Sequence, residues 1–192
     1  RKIRNKWYAT SDGATVEYEL KLSDKEKSWL KDHPIIRVAT DPGWRPIEFQ
    51  DTDGEYKGIS IDYLRRIERR LGVRFEILKG YSWAELIEKA QARELDMFSS
   101  VTATPDRENY LLFTEPYLSF PGAIFTRYDT PYIGNLKELE NKKVAVVKGY
   151  AFHELLKLNY PEVDLVPVVS TQTGLQMLEE GKVAAYVDNL LV

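Results

Sequence analysis

The chain has no cysteine, and only two histidines and two methionines, among its 192 residues. No disulfide, cysteine-based zinc site or thiol nucleophile is therefore available, and the lack is compatible with either redox compartment. His33 and His153 stand far apart with nothing beside them at metal-ligand or triad spacing. Both are read as structural, and no metal or other cofactor is implied. Long hydrophobic runs are missing too: none approaches the ~20 apolar residues that span a bilayer, and the segment after Arg1 lacks the apolar core of a signal peptide. If the natural protein is exported or anchored, those signals are expected outside this stretch. Nor does one charge predominate. The 27 basic and 30 acidic residues are mixed along the chain, for a net −3, so no face is offered to phosphates and nucleic acid is not expected as a partner.

What is present is enough apolar material, 43% of the residues, for real cores in one large domain or two small ones. Residues 1–21 read unlike the rest, with a basic start, an isolated Trp7, a turn at Ser11-Asp12-Gly13 and an alternating run over 15–20. They are assigned to the tail of a preceding module or a linker. Ser23 and Glu26 have capping-box spacing and open a short helix through Trp29 and Leu30, which stops before His33-Pro34 because proline cannot continue it.

From there the pattern is α/β. Residues 35–40 form a β-branched strand, and Asp51-Thr52-Asp53-Gly54 is a turn of type I′ character between 47–49 and 56–58. Its Asp-x-Asp-Gly resembles the start of a calcium loop but lacks the alternate ligands and the closing Glu. Ile61, Leu64, Ile67 and Leu71 recur at helical steps up to Gly72, 73–78 is a strand, and Ser82 with Glu85 starts a second capped helix before a strand over 95–98. After Phe120-Pro121-Gly122 the alternation repeats: strands at 123–126, 143–147, 163–169 and 183–187, with helices after Asn135, Gly149 and Ser170 or Thr171. Two such halves joined by a narrow crossing place a cleft between strand ends, where α/β folds bind ligands.

One stretch carries chemistry. Ser99, Ser100, Thr102 and Thr104 follow an apolar run and precede Arg107. Hydroxyls and backbone N–H groups at a strand end, beside a planar guanidinium fork, make a cradle for a carboxylate. The plainer reading is that Arg107 pairs with Asp106 or Glu108 at the surface. Asp188, at the end of an apolar run, needs a partner or water, or caps the segment after it. Trp44 and Trp83 suit either a ligand wall or ordinary packing.

The motifs Leu22-Ser23-x-x-Glu26-x-x-Trp29-Leu30-x-x-His33-Pro34, Pro46-Ile47-Glu48-Phe49, Gly58-Ile59-Ser60-Ile61-Asp62-Tyr63-Leu64, Thr104-Pro105-Asp106-Arg107, Phe113-Thr114-Glu115-Pro116-Tyr117, Lys143-Val144-Ala145-Val146-Val147-Lys148-Gly149-Tyr150 and Ala185-Tyr186-Val187-Asp188-Asn189 occur in this order. Together they resemble the type II periplasmic solute-binding fold, family 3, the amino-acid-binding kind, and most nearly the Venus-flytrap sensor domains of bacterial hybrid histidine kinases and diguanylate cyclases. The resemblance implies an α/β, two-lobed protein: lobe 1 over 22–119, lobe 2 over 120–192, and a hinge near 118–127. Because that fold makes a second crossing back to lobe 1, not found before Val192, the fold is expected to be C-terminally incomplete here.

Carried over by position, Arg107 matches the arginine that clamps an α-carboxylate, with Ser99, Ser100 and Thr102 beside it. Trp44 and Trp83 match enclosing aromatics. Gly149, Tyr150 and Ala151 match a helix start whose N–H groups meet the same carboxylate, and Asp188 matches the acid that holds the α-ammonium. Ala151 stands where the family often has a hydroxyl, Ile47 where an aromatic is commoner, and Arg45 adds a cation at the mouth. The implied function is extracytoplasmic sensing of an amino acid or small carboxylate by cleft closure, without catalysis. The domain would be tethered to the inner membrane through its parent chain, for which a homodimer is one expected assembly. A free transport receptor or an enzyme on the same fold, needing an acid or base such as Glu48 or Glu115, remain the alternatives.

Overall fold

The computed structural model describes residues 20–191, so the turn and strand expected before Leu20 lie outside the described residues. The chain divides after Asp32 into two compact units. In the first, α1 (Asp24–Asp32) begins where the capping box places it: the Glu26 carboxylate accepts from the Ser23 N–H at 2.7 Å, and the Ser23 hydroxyl accepts from the Glu26 N–H at 3.3 Å.

The second unit, from His33 on, holds two main sheets. The first has strand order β5-β1-β6, all parallel, from β1 (Ile35–Ala39), β5 (Arg74–Ile77) and β6 (Met97–Phe98). Helices α2 (Ile59–Leu71) and α3 (Trp83–Gln91) make the two crossovers, which is the βαβαβ order expected. Ser82 and Glu85 form a full capping box at the head of α3, and its Trp83, Leu86 and Ala90 pack with Ala39, Leu95 and Phe98 as one core.

Between β1 and α2 lies a small antiparallel sheet, β2 (Gly43–Trp44), β3 (Glu48–Gln50) and β4 (Tyr56–Lys57). Its hairpin turn is not type I′, which needs two left-handed residues; Gly54 alone has positive φ in the turn, at 77°. Asp51 accepts from the Gly54 N–H and donates to Glu55 O, the three-residue form that ends in a left-handed glycine. Gly58 then passes so close to β3 that a Cβ would lie 2.4 Å from Ile47 O, at φ +122°, so no other residue fits. That approach lets the Ser60 N–H reach Ile47 O at 3.0 Å and docks the head of α2 on β3.

The second sheet runs β7-β10-β8-β9, with β7 (Gly122–Phe125) antiparallel to β10 (Ala185–Asn189), and β8 (Lys143–Val147) and β9 (Asp164–Val168) parallel to it. Four consecutive residues of β8 are buried, the continuous apolar run of a strand covered on both faces. Val144 faces a core with Leu139 and Leu156 of α4 (Ala151–Asn159). Its neighbour Ala145 faces one with Val168 and Leu178 of α5 (Thr171–Glu179). Asn135 and Ser170 cap a 3-10 turn and α5 through their side chains. β10 begins two residues later than the apolar pattern suggests, which puts Asp188 inside the strand and removes the helix-cap reading.

Candidate functional site

Arg107 opens a 3-10 turn after β6 and is only 1% exposed. Its guanidinium meets the second half of the molecule. Nε and Nη2 donate to Glu154 Oε1 at 3.1 and 2.9 Å, Nη2 also to Gly149 O at 2.7 Å, and Nη1 to Thr102 O at 3.0 Å. The Thr104 hydroxyl donates to the other Glu154 oxygen at 2.5 Å. Glu154, in the first turn of α4, thus sits against the guanidinium fork expected to meet a ligand carboxylate. Neither sequence neighbour, Asp106 nor Glu108, is the partner.

The expected hydroxyls divide. Ser99 is committed inside the first half: its hydroxyl lies 2.5 Å from Glu48 Oε2, 3.1 Å from Ala39 O and 2.9 Å from the Thr40 hydroxyl. Ser100 is nearly buried beside it, while Thr102 offers Arg107 its carbonyl and leaves its side chain exposed. Tyr117, from the Phe-Thr-Glu-Pro-Tyr motif, donates to Ser99 O at 2.7 Å and pins the same strand end.

On the second half, the head of α4 differs from the expected row of free N–H groups. The Gly149 N–H donates to His153 Nδ1 at 3.2 Å and the Tyr150 N–H to Val147 O at 3.1 Å, because the chain turns tightly there with Gly149 at φ 78°. The Gly149 carbonyl faces across the cleft instead, accepting from Arg107 and from Trp83 Nε1, the latter at 2.7 Å. Ala151 is the first residue of α4 and is half-buried. His153 is held below its usual pKa chiefly by burial, which keeps Nδ1 free to accept.

Tyr150 contributes its side chain. The hydroxyl donates to Asp41 Oδ2 at 2.5 Å, and the ring stands edge-on to Trp83 and Trp44 at centroid distances of 5.9 and 6.4 Å. Both tryptophans therefore line the junction of the halves. Trp83 is also core, and Trp44 carries a buried Nε1–H with no acceptor among the described residues. Asp188, fully buried, accepts from the Tyr186 hydroxyl, from Thr171 Oγ1 at 3.3 Å and from the Asn189 N–H at 2.7 Å.

Asp41 and Asp188 are near enough that Asp188 adds to the upward shift of Asp41. Burial is the larger cause in both, and it holds each above the usual carboxylate range. Glu48, wholly buried, is pushed up to about 8 by burial, against hydrogen bonds from Ser99 and the Asp41 N–H. Among the described residues no lysine or arginine pairs with these three acids, and no cluster of three or more potential ligands is arranged for a metal. Sequence reasoning missed Glu154 and Asp41. Asp41 has a visible signal, an acid two residues after the apolar strand β1; Glu154 has none beyond its place in a helix's first turn.

The model of the bacterial extracellular solute-binding proteins, family 3, matches residues 36–178. The chain is 31% identical to the virulence sensor protein BvgS of Bordetella pertussis over 86% of its own length and 13% of that protein's. It is 26% identical to the L-cystine-binding protein TcyJ of Escherichia coli, over 84% of the chain and 61% of TcyJ. The crystal structure of the Bordetella pertussis BvgS periplasmic VFT2 domain superposes with a TM-score of 0.75 at 30% identity, covering 88% of this chain and 72% of that one. The fold is thus that of the Venus-flytrap, type II periplasmic binding proteins. The chain spans 13% of the length of BvgS and 61% of that of TcyJ.

Proposed function

Because this chain belongs to the family-3 bacterial extracellular solute-binding proteins, we propose that it is the periplasmic ligand-binding part of a membrane sensor, responding to an amino acid or a chemically related small molecule by a change in cleft closure. The carrying observation is that Arg107, in the turn after β6 of the first sheet, and Asp188, in β10 of the second, are both buried and of opposite sign, with Trp44, Trp83 and Tyr150 packed together where the two parts meet. Lobe 1 is the part built on β5-β1-β6 and lobe 2 the part built on β7-β10-β8-β9. The resemblance to BvgS favours a sensor over a free transport receptor. The signalling output, the tether to the inner membrane and any dimer belong to the parent chain.

The ligand's ammonium is placed against Asp188 and Asp41, buried acids close to one another, one from each part, and the Trp44 Nε1–H supplies a donor for a ligand oxygen. A ligand touching both lobes binds the closed form better, and ~10⁴-fold preference carries a two-state balance from 1:99 to 99:1. We read the site as non-catalytic. Glu48 has the raised pKa of a general base, but it is fully buried and tied to Ser99 and the Asp41 backbone rather than presented to the cleft.

The test is a thermal-shift panel of amino acids, their derivatives and small carboxylates on the intact protein. At least one compound is expected to raise the melting temperature, and Asp188→Asn to weaken that compound at least about tenfold, the loss of one charge-assisted hydrogen bond. A flat panel would sink the reading.

A further inference from the structure

The family resemblance assigns Arg107 to a ligand's carboxylate, yet its fork is already filled. Arginine has five N–H donors. Four hydrogen bonds to Glu154, Gly149 O and Thr102 O use Nε, Nη1 and both sides of Nη2. The fifth leaves no bidentate seat. Glu154 is held equally well from its own side, with Oε1 on the guanidinium, Oε2 on the Thr104 hydroxyl, and its place in the first turn of α4 favourable for an anion. It therefore occupies the seat as a ligand carboxylate would, by charge and by two oxygens.

We infer that Glu154 is a specificity-determining residue: its side chain stands in for a ligand carboxylate at Arg107, latches the two lobes without ligand, and makes the cleft select ammonium-bearing molecules that have no carboxylate. This rests on the ligand-binding reading above and narrows it. A tethered carboxylate competes at an effective concentration on the order of millimolar or more, so a free amino acid must displace it before reaching Arg107. At the other end of the junction the balance is reversed. Among the described residues Asp41 and Asp188 have only neutral donors, Tyr150, Tyr186, Thr171 and backbone or amide N–H groups, and a cation completes them. The Trp44 Nε1–H, without an acceptor among the described residues, calls for an oxygen, which a neutral amide supplies as well as an acid.

The experiment has two arms on the intact protein. In the first, spin labels at Glu88→Cys on α3 and Lys157→Cys on α4, both exposed positions in a chain without cysteine, report the distance between lobes in the absence of ligand. A short distance that lengthens in Glu154→Ala is expected, and a distance indifferent to that change overturns the latch. Glu154→Gln, which keeps the shape and loses the charge, serves if the alanine variant does not fold, and is expected to lengthen it too. In the second, the twenty L-amino acids and their carboxamides are titrated in pairs. Wild type is expected to bind a carboxamide at least about tenfold more tightly than its parent acid, and Glu154→Ala to invert the order. Parent acids binding wild type as tightly as carboxamides overturn the inference. If no probe binds but the distance still depends on Glu154, the latch stands and the amino-acid reading of the cleft falls instead.

Discussion

Arg107 and Asp188 are both buried, and both face the junction of the two lobes, but they are satisfied in opposite ways. Arg107 takes its counter-charge and a carbonyl from across the cleft, through Glu154 and Gly149. Asp188 takes hydroxyl and amide donors from its own lobe and, among the described residues, no counter-charge. A charge neutralised across a cleft couples the two sides, whereas one held within its own lobe leaves them free to separate. On the proposed reading this difference makes Arg107 the clasp and Asp188 the receptor, with the Tyr150 hydroxyl bridging to Asp41 as a neutral contact across the junction.

The largest expected effect comes from breaking the clasp. Arg107→Ala strands Glu154 beside Thr104 and leaves the Gly149 carbonyl one donor short. The cost of removing one partner of such a buried pair is about 3–5 kcal/mol, which in a protein of this size lowers the melting temperature by on the order of 10 °C. Calorimetry on ligand-free protein checks it, and a fall below about 2 °C would mean that Arg107 is no more than a surface cation. By contrast, the exposed pairs such as Asp62 with Arg65 are worth well under 1 kcal/mol, so Asp62→Ala is the natural control.

The uncompensated acids predict a pH dependence of the opposite kind. Glu48 rises from 4.5 to about 8 on folding, so the folded protein holds this proton more tightly than the unfolded chain. Its stabilising contribution is complete below pH 4.5 and is lost as pH climbs towards 8, at up to about 1.4 kcal/mol per pH unit for one proton. Glu48→Gln, neutral and of the same shape, is expected to flatten that fall by roughly 1 kcal/mol per unit between pH 5 and 7. Urea midpoints across this range measure the slope, and identical slopes in the two proteins would show that Glu48 ionises freely.

The smallest effect separates packing from bonding at the clasp. Trp83→Phe keeps a ring against Tyr150 and Phe98 but removes the Nε1–H that reaches Gly149 O. A loss of about 1 kcal/mol plus a packing term is expected. If Trp83→Phe is as damaging as Arg107→Ala, the ring's core contacts outweigh its bond across the cleft.

Much of this fold is legible along the chain because its causes are local. The Ser23-Glu26 and Ser82-Glu85 boxes each close within four residues, and their helices begin where that spacing says. The apolar run of β8 and the helical periods of α2 need no distant partner to be recognised. The hairpin was legible as a turn but not as its type, since only the register of β3 against β4 decides whether one residue or two must be left-handed.

For the site, residue types drew attention to Arg107 behind its hydroxyls and to Asp188 in an apolar run, because a lone guanidinium and a lone carboxylate are both costly to bury, whereas the two tryptophans and the grouping of these residues into one site came from the family resemblance. Which partners they meet was open until the chain was folded. Glu154 lies 47 residues from Arg107, Trp83 lies 66 from Gly149, and Tyr150 lies 109 from Asp41. No spacing rule reaches across such separations. Helix period, strand alternation and caps are properties of a few neighbouring residues, while the counter-charge in the Arg107 seat is set by how one sheet comes to face another.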